Sequence, residues 1–328
     1  MGSTSGMNRS SCYAAERFRE DLEKGTAGSV LGWSRTRDFV SSPSVSEENH
    51  RAESLPVGIT NPSLALGEMH PFVALLKRYV IDYLQCQNPA VCAQIMEPDY
   101  MLYMGGSKLG PRDEVYIPAV VRQLEQFPGL GMTVNEIMLN GDRLAMRFSQ
   151  HGASVRNDGR QAAWSGIGLY RWNGVKLTSN FAIEDYYSRK RQLSSGTSAL
   201  VESPAVAPWD ARVQDSDLAA EGTVRSWLEA GMSFVGQSVN VDDQGVHPAP
   251  LISVFATEID DLFSAGSRVA FACTQTGVFL GGLSKSAPDG VEVPCTLYSV
   301  GVVSVSADGV VSGRVIRERA GLERQIAS

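Results

Sequence analysis

Two stretches of the sequence carry side chains that can move protons or hold the polar groups of a substrate. Arg147, Ser149 and His151 recur at every second position, so a β-strand there places all three on one face. Asn180 and Glu184 share a face of a later strand in the same way. An imidazole and a carboxyl can act as general acid or base, whereas Arg, Ser and Asn bind substrate oxygens. These residue types favour a small-molecule site that works by proton transfer.

Helical and strand periodicities define the elements that must position these side chains. Apolar residues recur at helical spacing from Phe72 to Tyr83 and again from Ile117 to Leu124. The period then changes to two, which indicates β-structure with Asn-Gly and Asp-Gly turns. Strands are predicted at residues 132–139, 143–151, 161–172 and 175–187. Helices followed by this meander predict an α+β fold, a curved antiparallel sheet with helices on one face.

The strand half of this pattern occurs twice. GDRLAMRFSQHG at residues 141–152 returns as GSRVAFACTQTG at residues 266–277, and RQL at 191–193 returns as RQI at 324–326. Ordered matches of this kind predict a domain duplicated in tandem. Gln150 and Gln275 are then expected on equivalent strands.

Four segments follow from this reading of the chain. A polar, Ser/Pro-rich arm is predicted at residues 1–65, and a first domain at 66–196. A linker is predicted at 197–208, and a second domain, truncated at its front, at 209–328. A single clear helix precedes the strands of the second domain, so we expect no closed ligand cavity there.

Composition narrows the classes of partner. A formal net charge of -7 argues against a nucleic-acid or anionic-membrane surface, and no apolar run is long enough for a membrane helix. Five scattered cysteines and four distant histidines indicate neither a disulfide framework nor a metal site. We therefore expect a cytoplasmic protein without metal or cofactor, with a small apolar or phenolic molecule as partner.

The segment 66–196 resembles the nuclear transport factor two-like, or SnoaL-like, superfamily. That superfamily includes ketosteroid isomerase, scytalone dehydratase, limonene epoxide hydrolase and polyketide cyclases. The resemblance is carried by Arg78-Tyr79-Val80, by IGLYRWNG at 167–174, and by Asp185 followed by Gln192-Leu193. It implies a cone-shaped sheet around a cavity, and a pairing of cones that gives an internal pseudo-dimer or a homodimer.

The resemblance also implies roles at individual positions. Tyr79 stands where the isomerase has its oxyanion-hole tyrosine, but Met104 and Gly168 stand where it has its two aspartates. Ala182 stands where hydrolases and cyclases carry an acid on the last strand. With the cavity side that this alignment implies, the predicted catalytic residues are His151, Glu184, Tyr79 and Tyr103. The predicted substrate-binding residues are Arg147, Ser149, Asn180, Met104, Gly168 and Ala182.

A structural interpretation stays open for several of these residues. Tyr79 is at a helix core position, where simple packing is common, and His151 precedes a glycine at a strand end. Arg147 is expected to pair with a neighbouring carboxylate such as Glu184.

Two functions follow as hypotheses. The first is an isomerase, dehydratase or cyclase that acts on an apolar ring substrate of polyketide or terpenoid type. The second is a non-catalytic module that binds a ligand or a protein, and the absence of the superfamily's usual aspartates favours it.

Overall fold

The computed structural model describes residues 69–243, 248–284 and 291–327. The predicted N-terminal arm, residues 1–65, lies outside the described residues. Within the described ranges, no helix is long and apolar enough to cross a membrane.

The first half of the described chain begins with helices and continues as a sheet. Helix α1 starts at Pro71, where the missing N–H costs nothing, and the His70 side chain accepts a hydrogen bond from the Phe72 N–H. Its last residue is followed by a π-helical segment, Tyr79–Gln85. The elements of this half are α1 (Pro71–Arg78), α2 (Cys92–Ile95), β1 (Met96–Met104), β2 (Ser107–Leu109), α3 (Ile117–Gln126), β3 (Gly131–Asn140), β4 (Arg143–Ser154), β5 (Arg160–Trp172), β6 (Leu177–Glu184) and α4 (Tyr186–Ser195).

The six strands of this half form one mixed sheet with the order β2-β1-β6-β5-β4-β3. Strands β3 to β6 are the predicted antiparallel meander, and β1 joins β6 in parallel. One finding differs from expectation. The segment from Tyr186 onward is helix α4, whereas the sequence predicts a strand to residue 187. The Asp185 carboxylate caps this helix by accepting a hydrogen bond from the Ser188 N–H at 3.0 Å.

The second half has one helix before its sheet, as predicted, and a short helix after it. Its elements are α5 (Leu218–Glu229), β7 (Ser238–Val241), β8 (Ile252–Ala265), β9 (Arg268–Phe279), β10 (Pro294–Val305), β11 (Val311–Arg317) and α6 (Arg319–Gln325). The sheet order is β7-β11-β10-β9-β8, which is the order of the first sheet without β2.

The two sheets share a hydrogen-bond register as well as an order. Met146 pairs with Gly168, which pairs with Ala182 across β4, β5 and β6. Across β9, β10 and β11 the corresponding pairs join Phe271, Gly301 and Val315. Gln150 and Gln275 lie four residues further along β4 and β9. Two sheets of this kind fit a duplicated arrangement, which stays a prediction from the repeated sequence.

Each sheet has a helix side and a side that faces the other sheet. On the helix side of the first sheet, Leu144, Met146 and Phe148 belong to a core with α1 and the π-helical segment. Between the sheets lies a second apolar layer, to which Ile167 and Val300 belong. The predicted linker runs along β3, where the Ala205 N–H donates to the Val134 carbonyl oxygen at 3.0 Å. Both faces of the first sheet are therefore covered.

Candidate functional site

A cavity of about 240 Å³ lies between the helices and the sheet of the first half. Its walls come from the π-helical segment, α3, β1, β3 and the helix side of β4, β5 and β6. Apolar residues such as Leu102, Met132 and Phe148 form much of the lining. The polar lining residues are Tyr79, Tyr116, Gln123, Gln150, Tyr170, Asn180, Glu184 and Tyr186. An apolar cavity with a few converging polar groups is the usual form of a small-molecule site.

Glu184 is the carboxylic acid of this cavity. It is the last residue of β6, and its Oε2 accepts a hydrogen bond from the Trp164 Nε1–H at 2.7 Å. Burial raises the pKa of the carboxyl, and the Trp164 hydrogen bond and the Arg189 charge oppose that rise only in part. A buried carboxyl with a raised pKa is a typical proton-transfer group, and the indole fixes its orientation.

Three of the tyrosines that line the cavity are Tyr79 and Tyr116 from its helical wall and Tyr170 from strand β5. The Tyr116 hydroxyl donates to the Tyr79 hydroxyl oxygen at 3.2 Å, so Tyr79 keeps its own proton for another acceptor. The Tyr170 ring lies edge-on to Tyr79, with centroids 5.8 Å apart. Burial raises the pKa of all three phenols, so they remain neutral hydrogen-bond donors.

Amide side chains supply the remaining polar groups. Gln123 on α3 accepts from the Tyr186 hydroxyl at 3.0 Å and donates its Nε2–H to Gln150 Oε1 at 2.7 Å. Asn180 is buried, and its Oδ1 finds no hydrogen-bond partner among the described residues. An unpaired buried acceptor is costly, and a ligand hydroxyl would satisfy it.

The structure brings five of the predicted site residues to this cavity. Tyr79, Met104, Asn180, Ala182 and Glu184 line it. Gly168 lies on the same face of β5, because it pairs with Ala182. Their chemical roles remain predictions.

Close packing explains why a glycine stands at position 168. A Cβ there would lie 2.8 Å from the Tyr170 ring, so the missing side chain leaves room for that ring at the cavity floor.

The predicted cavity-side placement of Arg147, Ser149 and His151 is wrong. They alternate with Met146, Phe148 and Gln150 on β4, and it is this second set that faces the helices. Arg147 instead forms ion pairs with Glu136 and Glu202, both at 2.8 Å, and not with Glu184.

Partners on the outer face of the sheet explain the other two placements. The Ser149 hydroxyl donates to Asn135 Oδ1 at 3.1 Å. His151 packs over Gly131, where an added Cβ would meet the imidazole at 2.3 Å. Neither residue lines the cavity.

The predicted position of Tyr103 on the cavity side is also wrong. It points away from the cavity and stacks on Phe181, with centroids 4.6 Å apart and ring planes within 14°. Lys108 Nζ lies 5.9 Å from the centre of the Tyr103 ring. Tyr100 and Leu102, three residues and one residue before Tyr103 on β1, are the residues that pack towards the helices.

Several residues at the cavity were not predicted from the sequence. Gln150 lines the cavity and Trp164 binds Glu184. Both lie on predicted strands in phase with the cavity side, so strand alternation contains a signal for them. Gln123 and Tyr116 lie at polar or aromatic positions of the helical segment before β3, where only tertiary packing shows that they turn inward. No group of three metal-ligating side chains occurs among the residues that the structure describes.

Another cavity, about 600 Å³, is lined by residues of both sheets, and Glu184 is not among its lining residues. Arg147, Arg268 and Arg314 line it, and each is paired with a carboxylate. Its charges are thus already balanced within the protein.

Comparisons with known proteins give likeness to solved structures only. No family model matches the chain, and no curated protein matches it. A candidate SnoaL-like polyketide cyclase from Jannaschia sp. CCS1 is 15% identical, with a TM-score of 0.35, over 38% of this chain and 91% of its own. A candidate polyketide cyclase from Acidithiobacillus ferrooxidans is 19% identical, with a TM-score of 0.34, over 38% and 94%. IdmH, a candidate polyketide cyclase from Streptomyces antibioticus, is 16% identical, with a TM-score of 0.35, over 38% and 99%. Function therefore has to be argued from the side chains of this chain.

Proposed function

We propose that the first half is a small-molecule enzyme of the isomerase, dehydratase or cyclase kind, with Glu184 as its proton-transferring group. The observation that carries this proposal is a tryptophan-oriented carboxyl with a raised pKa in a cavity lined by neutral tyrosine hydroxyls. Proton transfer needs a group whose pKa lies near the working pH, and burial moves Glu184 in that direction.

In the proposed mechanism, Glu184 acts on a C–H group next to a substrate carbonyl, and Tyr79 binds the carbonyl oxygen. The ionised Glu184 carboxylate removes a proton from a carbon next to a substrate carbonyl, and the electron pair moves to the carbonyl oxygen. The Tyr79 hydroxyl, which accepts from Tyr116, donates to that oxygen and stabilises its charge. Glu184 then returns the proton to a different atom, so the carboxylate is regenerated.

The substrate class follows from the spacing along β6. Asn180 and Glu184 are four residues apart on one face, which separates their Cα atoms by about 13 Å. Ala182 lies between them and leaves a flat apolar floor. A ring substrate of polyketide or terpenoid type fits this arrangement, with a hydroxyl at Asn180 Oδ1 and the reacting carbon near Glu184.

Deuterium exchange tests this proposal without knowledge of the natural substrate. The probe is 2-tetralone, a neutral two-ring ketone with C–H groups next to its carbonyl, incubated with the full chain in D2O. We expect the protein to accelerate deuterium uptake measured by NMR, and Glu184→Gln to reduce that acceleration by about 100-fold or more. The amide can still accept from Trp164, so binding of the probe is retained. His151→Ala is the matched control and keeps wild-type exchange.

Two outcomes would change the proposal in different ways. Equal exchange in Glu184→Gln and wild type would remove Glu184 from its role. Binding of 2-tetralone without any accelerated exchange would favour the second function, a non-catalytic ligand-binding module. The apolar layer between the two sheets supports that alternative, because it fits an internal pseudo-dimer in which the second half acts as the partner of the first.

A further inference from the structure

The second half contains a groove of about 490 Å³ at the open end of its sheet. The groove lies between the segment after α5 and strands β8, β9 and β10. Phe255 is 72% exposed at its rim, so the groove is open to solvent rather than closed. Its volume is nevertheless within the range of ligand sites, roughly 300–1,000 Å³.

One polar group in the groove has no partner. Gln275 is 2% exposed and lines the groove, and its Nε2 finds no hydrogen-bond acceptor among the described residues. Gln150, at the matching register position of the first sheet, bonds to Gln123 on α3. The described part of the second half has no helix in the place of α3, so Gln275 faces the groove with its donor unused.

The lining of the groove contains one carboxylate, Glu229, which is exposed at the end of α5. Arg317 is the main cation of the lining, and its Nε and Nη2 both donate to Asp242 Oδ2, at 3.0 Å and 2.7 Å. This guanidinium is therefore committed to a buried carboxylate rather than to an anionic ligand. The walls are apolar, and include Phe234, Val254 and Leu297.

We propose that this groove binds an uncharged, apolar small molecule whose carbonyl oxygen accepts a hydrogen bond from Gln275 Nε2. The apolar walls provide the contact area, and the single unpaired donor selects for an acceptor oxygen. Arg317 occupies the strand-end position that Glu184 has in the first half, so the groove has no buried carboxyl at that position.

Benzophenone and diphenylmethane test the proposal as a matched pair of probes on the full chain. Both have two aromatic rings, but only benzophenone has a carbonyl, and near-ultraviolet light links it to C–H groups that it touches. We expect links in peptides covering residues 229–235 and 250–256, and about tenfold tighter binding of benzophenone than of diphenylmethane.

Variants separate the hydrogen bond from apolar attraction. Gln275→Leu should remove the preference for the ketone, although it makes the groove more apolar, while Thr276→Val on the exposed side of β9 keeps it. Val254→Trp fills the groove and should weaken binding of both probes. Glu184→Gln should leave these links unchanged, so this test is independent of the proposed reaction.

The proposal is overturned by either of two results. One is an absence of links in the two peptides at saturating benzophenone. The other is that wild type and Gln275→Leu prefer benzophenone over diphenylmethane by the same factor.

Discussion

Replacement of Arg319 by Met is expected to break the buried ion network that joins the two halves. The Arg319 side chain is 1% exposed, and its Nη2 donates to Asp185 Oδ2 at 2.5 Å and to Ser188 Oγ at 3.0 Å. Its Nε lies 3.1 Å from Asp242 Oδ2, and its guanidinium lies over the Tyr187 ring. Asp185 belongs to the first half and Arg319 to the second, so this residue connects them.

The magnitude follows from what the substitution leaves behind. Asp242 keeps Arg317, but within the described ranges Asp185 keeps only the backbone N–H groups of Ser188 and Asp243. Breaking a buried ion pair costs about 3–5 kcal/mol, and since one carboxylate remains paired we expect about 3 kcal/mol.

The loss should also depend on pH. Burial raises the pKa of Asp185, and the Arg319 charge is the main opposing influence, so Met at 319 raises this pKa further. A folded-state pKa above the unfolded value means that stability falls as pH rises through the interval between them. The destabilisation of Arg319→Met is therefore greater at pH 8 than at pH 5.

Urea unfolding followed by tryptophan fluorescence measures this effect. Arg78→Met is the matched control, because Arg78 pairs with Asp82 at 3.3 Å and both side chains are more than 40% exposed. An exposed pair of this kind contributes about 0–1 kcal/mol. Asp185→Asn combined with Arg319→Met should recover much of the loss, since no buried charge is then unpaired. A loss below about 1 kcal/mol for Arg319→Met, or no recovery in the double variant, would refute the reasoning.

Two other predictions concern stability. Burial raises the pKa of Glu318 to about 7, with Arg324 3.8 Å away as the main opposing charge. Because this folded-state pKa is raised, the unfolding free energy should fall as pH rises from about 4.5 to 7, and Glu318→Gln should remove that fall in pH-dependent urea titrations. Gly301→Ala places a Cβ 2.4 Å from the buried Phe271 ring and should cost about 1–3 kcal/mol, whereas Gly222→Ala in α5 meets nothing within 4 Å and should be neutral or stabilising in thermal melts.

Periodicity predicted the strands well because each strand has one face on a core. The observed meander, from Gly131 to Glu184, overlaps each predicted strand, and the Asn-Gly turns lie where they were expected. Helix α4 was missed because its sequence, YYSRKRQLSS, has little apolar periodicity. Its start depends on the Asp185 cap, and Arg319 holds that carboxylate from 134 residues away. No local pattern contains such a contact.

The cavity residues were predicted only in part. Alternation shows which residues of a strand share a face, but it does not show which face lines the cavity. On β6 the set with Asn180 and Glu184 was correctly assigned to the cavity. On β4 the polar set with Arg147 was chosen, although the set with Met146 is the more apolar and faces the helices. The choice failed because the outer face is not exposed to solvent. It lies against the second half, where Arg268 shares Glu136 with Arg147.

The two sheets show how one framework supports two different interiors. At the strand end where the first sheet has Glu184, the second has Arg317. The Arg317 side chain is bound by Asp242, which directly follows β7, the strand that pairs in parallel with β11. At the position where Gln150 is paired by α3, Gln275 is left with an unused donor. A carboxyl with a raised pKa suits proton transfer, whereas a neutralised guanidinium beside a free amide donor suits recognition. We propose that the first cavity performs the chemistry and the second groove binds, so loss of Glu184 should abolish turnover while loss of the Gln275 amide should change only what the second half retains.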